Sequence, residues 1–309
     1  MTVREAGTLI STRPRQSGVA LLQVLLLGAI ISLLAIRFTE TARDQISIAG
    51  QFEDRVLAQF AAHSAFREII FFQLSDSVEA GPSVDGDSAE SLIRKNDKGF
   101  NGAPIKWRQG VSVEIQDLNG LLPQIWPQHP LWERLLIRKS IPEDEVARYL
   151  GIWQDLQDND IQSWMLGDVE PSSLPAGQTY PNGLAQSDKL VSWVFADQPP
   201  LVESILEVSD VHGTYNTNPL NYSDALLNAL FDPGVAQEIM SLRSDPSRSS
   251  VALKMLLPSG LKEDYIFEHS SGRFKLDVTV ELNSFRWREK RIVHLRAGSQ
   301  PPFRMILNN

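Results

Sequence analysis

Few residues in this chain have the type and spacing that covalent chemistry needs. Its 309 residues include no cysteine, which removes thiol nucleophiles, thiolate zinc sites and disulfide bridges together. The five histidines, His63, His129, His212, His269 and His294, are scattered, and none stands at ligand spacing to another. His63 falls in an amphipathic helical stretch and His294 in a strand-like one, where surface or core packing is the default role. No phosphate-binding Gly-rich loop, Gly-x-Ser-x-Gly elbow or His-Glu-x-x-His pair occurs. Acids gather in Trp153-Gln154-Asp155-Leu156-Gln157-Asp158-Asn159-Asp160 and again in Gly167-Asp168-Val169-Glu170. Taken alone, these carboxylates read as a solvated face of an acidic chain. The expectation is a protein that is not an enzyme.

Composition narrows the classes further. With 42% hydrophobic and 22% charged residues the chain can bury one large core or two modest ones. Its formal net charge is -9, from 29 Lys plus Arg against 38 Asp plus Glu, so it has no general attraction for phosphate backbones. Nucleic acid is not an expected partner. The run Asn216-Thr217-Asn218 before a short helix also occurs in helix-hairpin-helix DNA-binding modules, but no Lys or Arg lies between Asn216 and Leu230 to hold phosphates. The seven tryptophans, Trp126, Trp132, Trp153 and Trp164 among them, read mainly as core, with one or two available to anchor a partner.

The strongest single signal is the run from Val19 to Ile36, VALLQVLLLGAIISLLAI, which carries no charge. As a helix it is about 27 Å long, close to the ~30 Å hydrocarbon layer of a bilayer. A buried helix of a globular protein normally keeps a polar stripe, and this one has none. A removable signal peptide has a shorter apolar region and a small-residue cleavage site, whereas here Ile36-Arg37-Phe38-Thr39-Glu40 follows. A retained anchor fits. Arg4, Arg13 and Arg15, opposed only by Glu5, predict a cytoplasmic N-terminus with the rest of the chain across the membrane.

Helical character continues past Arg37. There is no proline from Phe38 to Leu74, and Phe52, Val56, Leu57, Phe60, Ala61, Ala65 and Ile70 follow 3- and 4-residue spacing. An unbroken helix from Val19 to Leu74 is roughly 84 Å long, with Gly50 as a candidate bend. Glu53, Asp54, Arg55 and Arg67 supply its wet face. Gly81-Pro82-Ser83-Val84-Asp85-Gly86-Asp87 reads as a loop. Ile105 to Gln116 reads as one strand, with Asp117-Leu118-Asn119-Gly120 as the turn that closes it. Phe274 to Leu282 alternates with period 2, and Lys290 to Arg296 is its expected partner. Between them lie helix starts at Pro142-Glu143-Asp144-Glu145, Asp188-Lys189, Ser223-Asp224 and Asp232-Pro233. The fold expected is α+β: a long N-terminal helix packed on an antiparallel sheet, with a large, mostly helical insertion.

Arg15-Gln16-Ser17-Gly18 before Val19-Ala20-Leu21-Leu22-Gln23 resembles a prepilin leader. That resemblance implies cleavage between Gly18 and Val19 by a membrane prepilin peptidase, followed by N-methylation of Val19. The missing Cβ of glycine lets extended backbone approach the peptidase carboxylates. Most pilins and pseudopilins carry Glu five residues after the cut, where it pairs with a neighbour's amine. Here that position is Gln23, which matches a subunit at the filament tip, since an unpaired Glu in lipid is costly.

Over nearly its whole length the chain is similar to the K-type minor pseudopilin of type II secretion systems, the general secretion pathway protein K family. The resemblance rests on Asp117-Leu118-Asn119-Gly120-Leu121, on Tyr180-Pro181-Asn182-Gly183-Leu184-Ala185-Gln186-Ser187-Asp188-Lys189-Leu190, and on Tyr215 to Leu220 followed by Asp224 to Leu230. It implies a leader at 1–18, a transmembrane part at 19–38, a periplasmic amphipathic part at 39–74, a pilin-like β head from 75–120 and 251–309, and a helical insertion at 121–250. It implies an inner-membrane protein with a periplasmic head that caps the pseudopilus and primes its assembly. The implied partners are other minor pseudopilins, the major pseudopilin, the prepilin peptidase, and secreted substrates or the outer-membrane secretin. No cofactor is required, but the family's calcium sites make Asp155, Asp158, Asp160, Asp168 and Glu170 the candidate Ca2+ ligands, hard cations taking ~6 to 8 oxygens. A type IV minor pilin is the nearest alternative. A membrane-anchored periplasmic enzyme or metal-dependent binding protein is the alternative from another class.

Overall fold

The computed structural model describes residues 17–76, 100–160, 163–164, 183–244, 250–258, 265–266, 269–283, 285–296 and 299–306. The chain divides into two units, Met1–Leu57 and Ala58–Asn309. All described residues of the first unit are helical and belong to α1 (Ser17–Asp76). Three of its hydroxyls bond inside the helix: Ser32 Oγ donates to the Gly28 carbonyl at 2.8 Å, Thr39 to Ala35 at 2.8 Å and Thr41 to Arg37 at 2.9 Å. The helix runs through Gly50 with no break.

In the second unit, the rest of α1 packs on a sheet. Ala58, Ala62, Ala65, Phe66, Ile69 and Ile70 are buried, a stripe of 3- and 4-residue steps whose small residues let the sheet approach closely. Phe60, expected in the same stripe, is exposed, because this part of α1 carries apolar residues on more than one face and only one face meets the sheet; Phe52 and Leu57 of the first unit are exposed too. Trp107 Nε1 and Arg108 both bind Glu68, at 3.0 and 2.8 Å, tying α1 to β1.

The sheet has five antiparallel strands, β1 (Asn101–Arg108), β2 (Val111–Asp117), β5 (Arg273–Leu282), β6 (Phe285–Leu295) and β7 (Phe303–Ile306), in the order β1-β2-β5-β6-β7. Val111, Val113 and Ile115 pair with Val280, Val278 and Leu276. Cross-strand partners share a face, so these six side chains form the surface that α1 covers. The expected single strand from Ile105 to Gln116 is in fact a hairpin. It turns at Gly110, whose φ of +73° favours glycine and whose Cβ would meet the Glu281 carbonyl oxygen at 2.6 Å.

Between β2 and β5 in sequence lie the helices α2 (Pro130–Arg138), α3 (Glu143–Asp155), α4 (Lys189–Val194), α5 (Pro199–Leu206), α6 (Asp224–Leu230), α7 (Pro233–Ser244) and α8 (Ser250–Leu256). The short parallel pair β3 (Leu122–Pro123) and β4 (Ser209–Asp210) lies in the same stretch. These helices share a core of their own built around Trp132, Trp153, Tyr149, Phe195 and Tyr222. Trp132 and Trp153 sit 4.6 Å apart, ring centre to ring centre, and Trp132 Nε1 donates to the Pro123 carbonyl at 3.0 Å. Arg134 and Arg138 donate to the carbonyls of Leu230, Ala229 and Phe231, capping the C-terminal end of α6 with positive charge. Leu253 and Leu257 belong to this helical core, so it reaches past residue 250, where the sequence reading ends the insertion.

Candidate functional site

Three places in the molecule have the chemistry to act: the apolar start of α1, a polar junction between sheet and helices, and the surface of the helical part. From Val19 to Ile36 the large apolar side chains are all exposed within the chain, and α1 is long and apolar enough there to cross a membrane. Aliphatic side chains held in water at this density are unfavourable by about 25 cal/mol per Å², so a lipid or protein environment must cover them. Gln23 is exposed among them. Gly18 and Val19 lie in the first turn of α1, where N–H groups lack intrahelical partners and the backbone opens at least cost. Residues 1–16 of the expected leader, with Arg4, Arg13 and Arg15, lie outside the described residues.

The junction is built from residues on both sides of the helical segment. Asp117 ends β2 and is fully buried. Its carboxylate accepts from the Asn119 N–H at 3.1 Å, the Ser271 N–H at 3.0 Å, the Ser270 hydroxyl at 2.6 Å and the Ser271 hydroxyl. Burial nonetheless pushes the Asp117 carboxyl above its usual range, against the pull of these four donors. Asn119 donates to the His269 carbonyl at 2.8 Å and accepts from Asn221 Nδ2 at 2.7 Å. Gln116 Nε2 reaches the carbonyls of Asn221, Asp117 and Phe100. Gly120 lies where a Cβ would stand 2.0 Å from the Asn221 carbonyl oxygen, so only glycine permits this approach. The Asn218 N–H donates to the Asn119 carbonyl at 2.8 Å, so the Asp117 to Leu121 motif and the Tyr215 to Leu220 motif, nearly a hundred positions apart in sequence, meet in one buried hydrogen-bond network.

Beside the junction, His129 caps α2. Its Nδ1 accepts the Leu131 N–H at 3.3 Å, and its ring lies 5.5 Å from Tyr215 and 5.1 Å from Tyr265. Burial lowers its pKa to about 4, weakly opposed by the Tyr215 backbone, so the imidazole is neutral near pH 7. Sequence reading gave this histidine no role. Its place before Pro130, at the start of a helix, is the signal that marks it.

The expected calcium ligands do not form a cation site among the described residues. Asp155 is buried, and its two oxygens accept from the Trp164 N–H at 2.8 Å and the Ser163 hydroxyl at 3.1 Å. Asp158 is half-buried and Asp160 exposed, and no three His, Asp or Glu of the described residues gather to hold a metal. Asp155 closes the loop after α3 by accepting these N–H and O–H groups. Asp168 and Glu170 lie outside the described residues, as does the expected loop from Gly81 to Asp87. A surface pocket of about 430 Å³ lies beside α2 and α3, lined by Glu133, Glu143, Leu150, Gln154 and Trp164 among others. Its described lining presents carboxylates, amides and an indole. Of the tryptophans singled out above, Trp132 and Trp153 are core, while Trp164 is 68% exposed and Trp126 36%.

No protein-family model matches this sequence, and no curated protein matches it significantly. Among solved structures it is similar to a chain in the crystal structure of the GspK-GspI-GspJ complex from the enterotoxigenic Escherichia coli type 2 secretion system. The identity is 14%, the TM-score is 0.49, and the match covers 80% of this chain and 97% of that one. At that identity and score the likeness does not carry function.

Proposed function

We propose that this chain is a minor pseudopilin of the K type, held in the inner membrane by α1, with its head in the periplasm. In this role it joins other minor pseudopilins at the pseudopilus tip, caps the filament over the major pseudopilin and primes its assembly for type II secretion. The observation that supports this most is α1 itself: residues 19–36 are uncharged and exposed, while residues 58–70 of the same helix bury a stripe in the sheet. A second support is the helical core inserted between β2 and β5. A head widened by the helices of this segment, seven of them among the described residues, obstructs a subunit stacking above it, which suits a terminal position. Gln23 suits it too, because a tip subunit has no need of a charge to pair with an incoming amine. In this reading residues 1–18 are the leader. Its removal takes away three Arg and one Glu, so the net charge moves from -9 to -11 in the mature chain. The reading requires no cofactor and no catalysis.

The test is the N-terminal mass of the protein recovered from membranes with and without prepilin peptidase. The expected result is a chain beginning at methylated Val19 only when the peptidase is present. An intact Met1 in both, or a cut near Thr39, overturns the reading.

A further inference from the structure

The sheet holds a cationic row that no acid of the described residues neutralises. Register pairs Arg273 with His294 and His294 with Arg304, so the three side chains share one face across β5, β6 and β7. Arg296 stands two residues beyond His294, just past the end of β6. The His294 pKa is lowered by burial and, after that, by Arg273, Arg296 and Arg304, so these guanidinium groups lie close to the imidazole. Neighbouring rungs of the same face are treated differently. Lys275 is paired with Asp210 at 2.9 Å, and Asp277 takes Arg288 at 2.7 Å and Lys290 at 3.4 Å. Among the described residues, no ion pair joins Arg273, Arg296 or Arg304 to an acid; Lys106, on the far strand β1, is the other cation of this face without one. Like charges directly across a sheet are destabilising, and a single charge at the edge is enough to discourage chance pairing. Two arginines on one rung, with Arg296 beside them, exceed that need.

The row ends at an open edge. Among the described residues, β7 has a neighbour on one side only. The Arg296 N–H bonds to the Pro302 carbonyl at 2.7 Å, and antiparallel ladders alternate. The N–H groups of Arg304 and Ile306 therefore turn toward β6, while those of Phe303 and Met305 turn outward. A strand added there places a residue opposite Arg304 at a non-hydrogen-bonded position, where side chains approach most closely.

We propose that the edge of β7 takes up an extended acidic segment of a protein partner as a sixth strand, its carboxylates meeting Arg304 and the row of His294, Arg273 and Arg296 behind it. Main-chain hydrogen bonds supply the pairing and the arginines select the sequence. A second copy of this chain is disfavoured, since its own β7 would bring arginine toward arginine. The proposal uses only β5 to β7 and stands independently of the pseudopilin reading.

The test is fluorescence anisotropy with the full chain in nonionic detergent and a fluorescein-labelled peptide alternating aspartate with valine. Binding is expected although the protein is acidic overall, and the same peptide with lysine for aspartate should not bind. Arg304→Gln and the double change Arg273→Gln plus Arg304→Gln should weaken binding progressively, the double by about tenfold. Met305→Pro removes one outward N–H, leaves the β6 ladder intact and should also weaken it. Arg286→Gln, a change to an exposed arginine paired with Glu281 at 3.7 Å, should leave it unchanged. Absence of acidic-peptide binding overturns the proposal, as does equal weakening by Arg286→Gln. Indifference to Met305→Pro overturns the added strand. Phosphatidylglycerol vesicles that bind through these arginines while the peptide does not would assign the row to lipid and overturn it as well.

Discussion

His129 should make the helical core sensitive to acid in a way that one substitution removes. Its imidazole is almost wholly buried, caps α2 through Nδ1 and has Tyr215 and Tyr265 against its ring. With the pKa lowered from 6.5 to about 4, folding favours the neutral ring. The stability this group contributes is present above pH 6.5 and is lost as pH falls toward 4. The full gap corresponds to about 3 kcal/mol, of which about 2 kcal/mol is gone by pH 4.5. Asparagine is a good N-cap and does not titrate, so His129→Asn keeps the cap and removes the pH term. Urea unfolding of the full chain in nonionic detergent, followed by tryptophan fluorescence, reads the core directly because Trp132 and Trp153 lie in it. Other carboxylates titrate in both proteins and cancel in the difference. The stability of wild type relative to His129→Asn should fall by about 2 kcal/mol between pH 7 and pH 4.5. A difference that stays constant to within about 0.5 kcal/mol across that range refutes the reasoning.

Two further outcomes follow from the same structure. Asp117→Ala leaves the buried N–H groups of Asn119 and Ser271 without their acceptor, at about 1–3 kcal/mol each, whereas Glu281→Ala, at an exposed position, should change stability by less than about 0.5 kcal/mol; urea midpoints of the two variants check this. Millimolar calcium or its chelation should leave the melting temperature of the purified chain unchanged, and a rise of several degrees with calcium would mean that the carboxylates around Asp160 bind it.

Much of the architecture was legible in the sequence because it depends on local patterns. The uncharged run from Val19 to Ile36, the period-2 alternation of Phe274 to Leu282 and the acidic helix starts at Glu143 and Asp224 each specify an element from neighbours a few residues away. The hairpin at Gly110 was missed because alternation continues through it and only one glycine marks the turn. β7 was missed because four residues are too few to show a period. α2 and α5 were missed although each begins at a proline, the residue favoured at a first helical position.

The choice of faces was not legible. Phe60, Ala65 and Ile70 all satisfy helical spacing, yet only Ala65 and Ile70 meet the sheet, because two apolar faces on one helix look alike until a partner covers one of them. The same holds for charge. Asp155, Asp158 and Asp160 are close in sequence but differ in burial, and Asp155 is spent on a loop, while Arg273, His294 and Arg304 are scattered in sequence and brought onto one rung. Sequence alone determined that this chain has a long uncharged apolar run, an acidic remainder and no thiol, since those are properties of composition and short range. Tertiary structure alone decided which polar groups lie together, since strand register and chain closure act between residues more than a hundred positions apart.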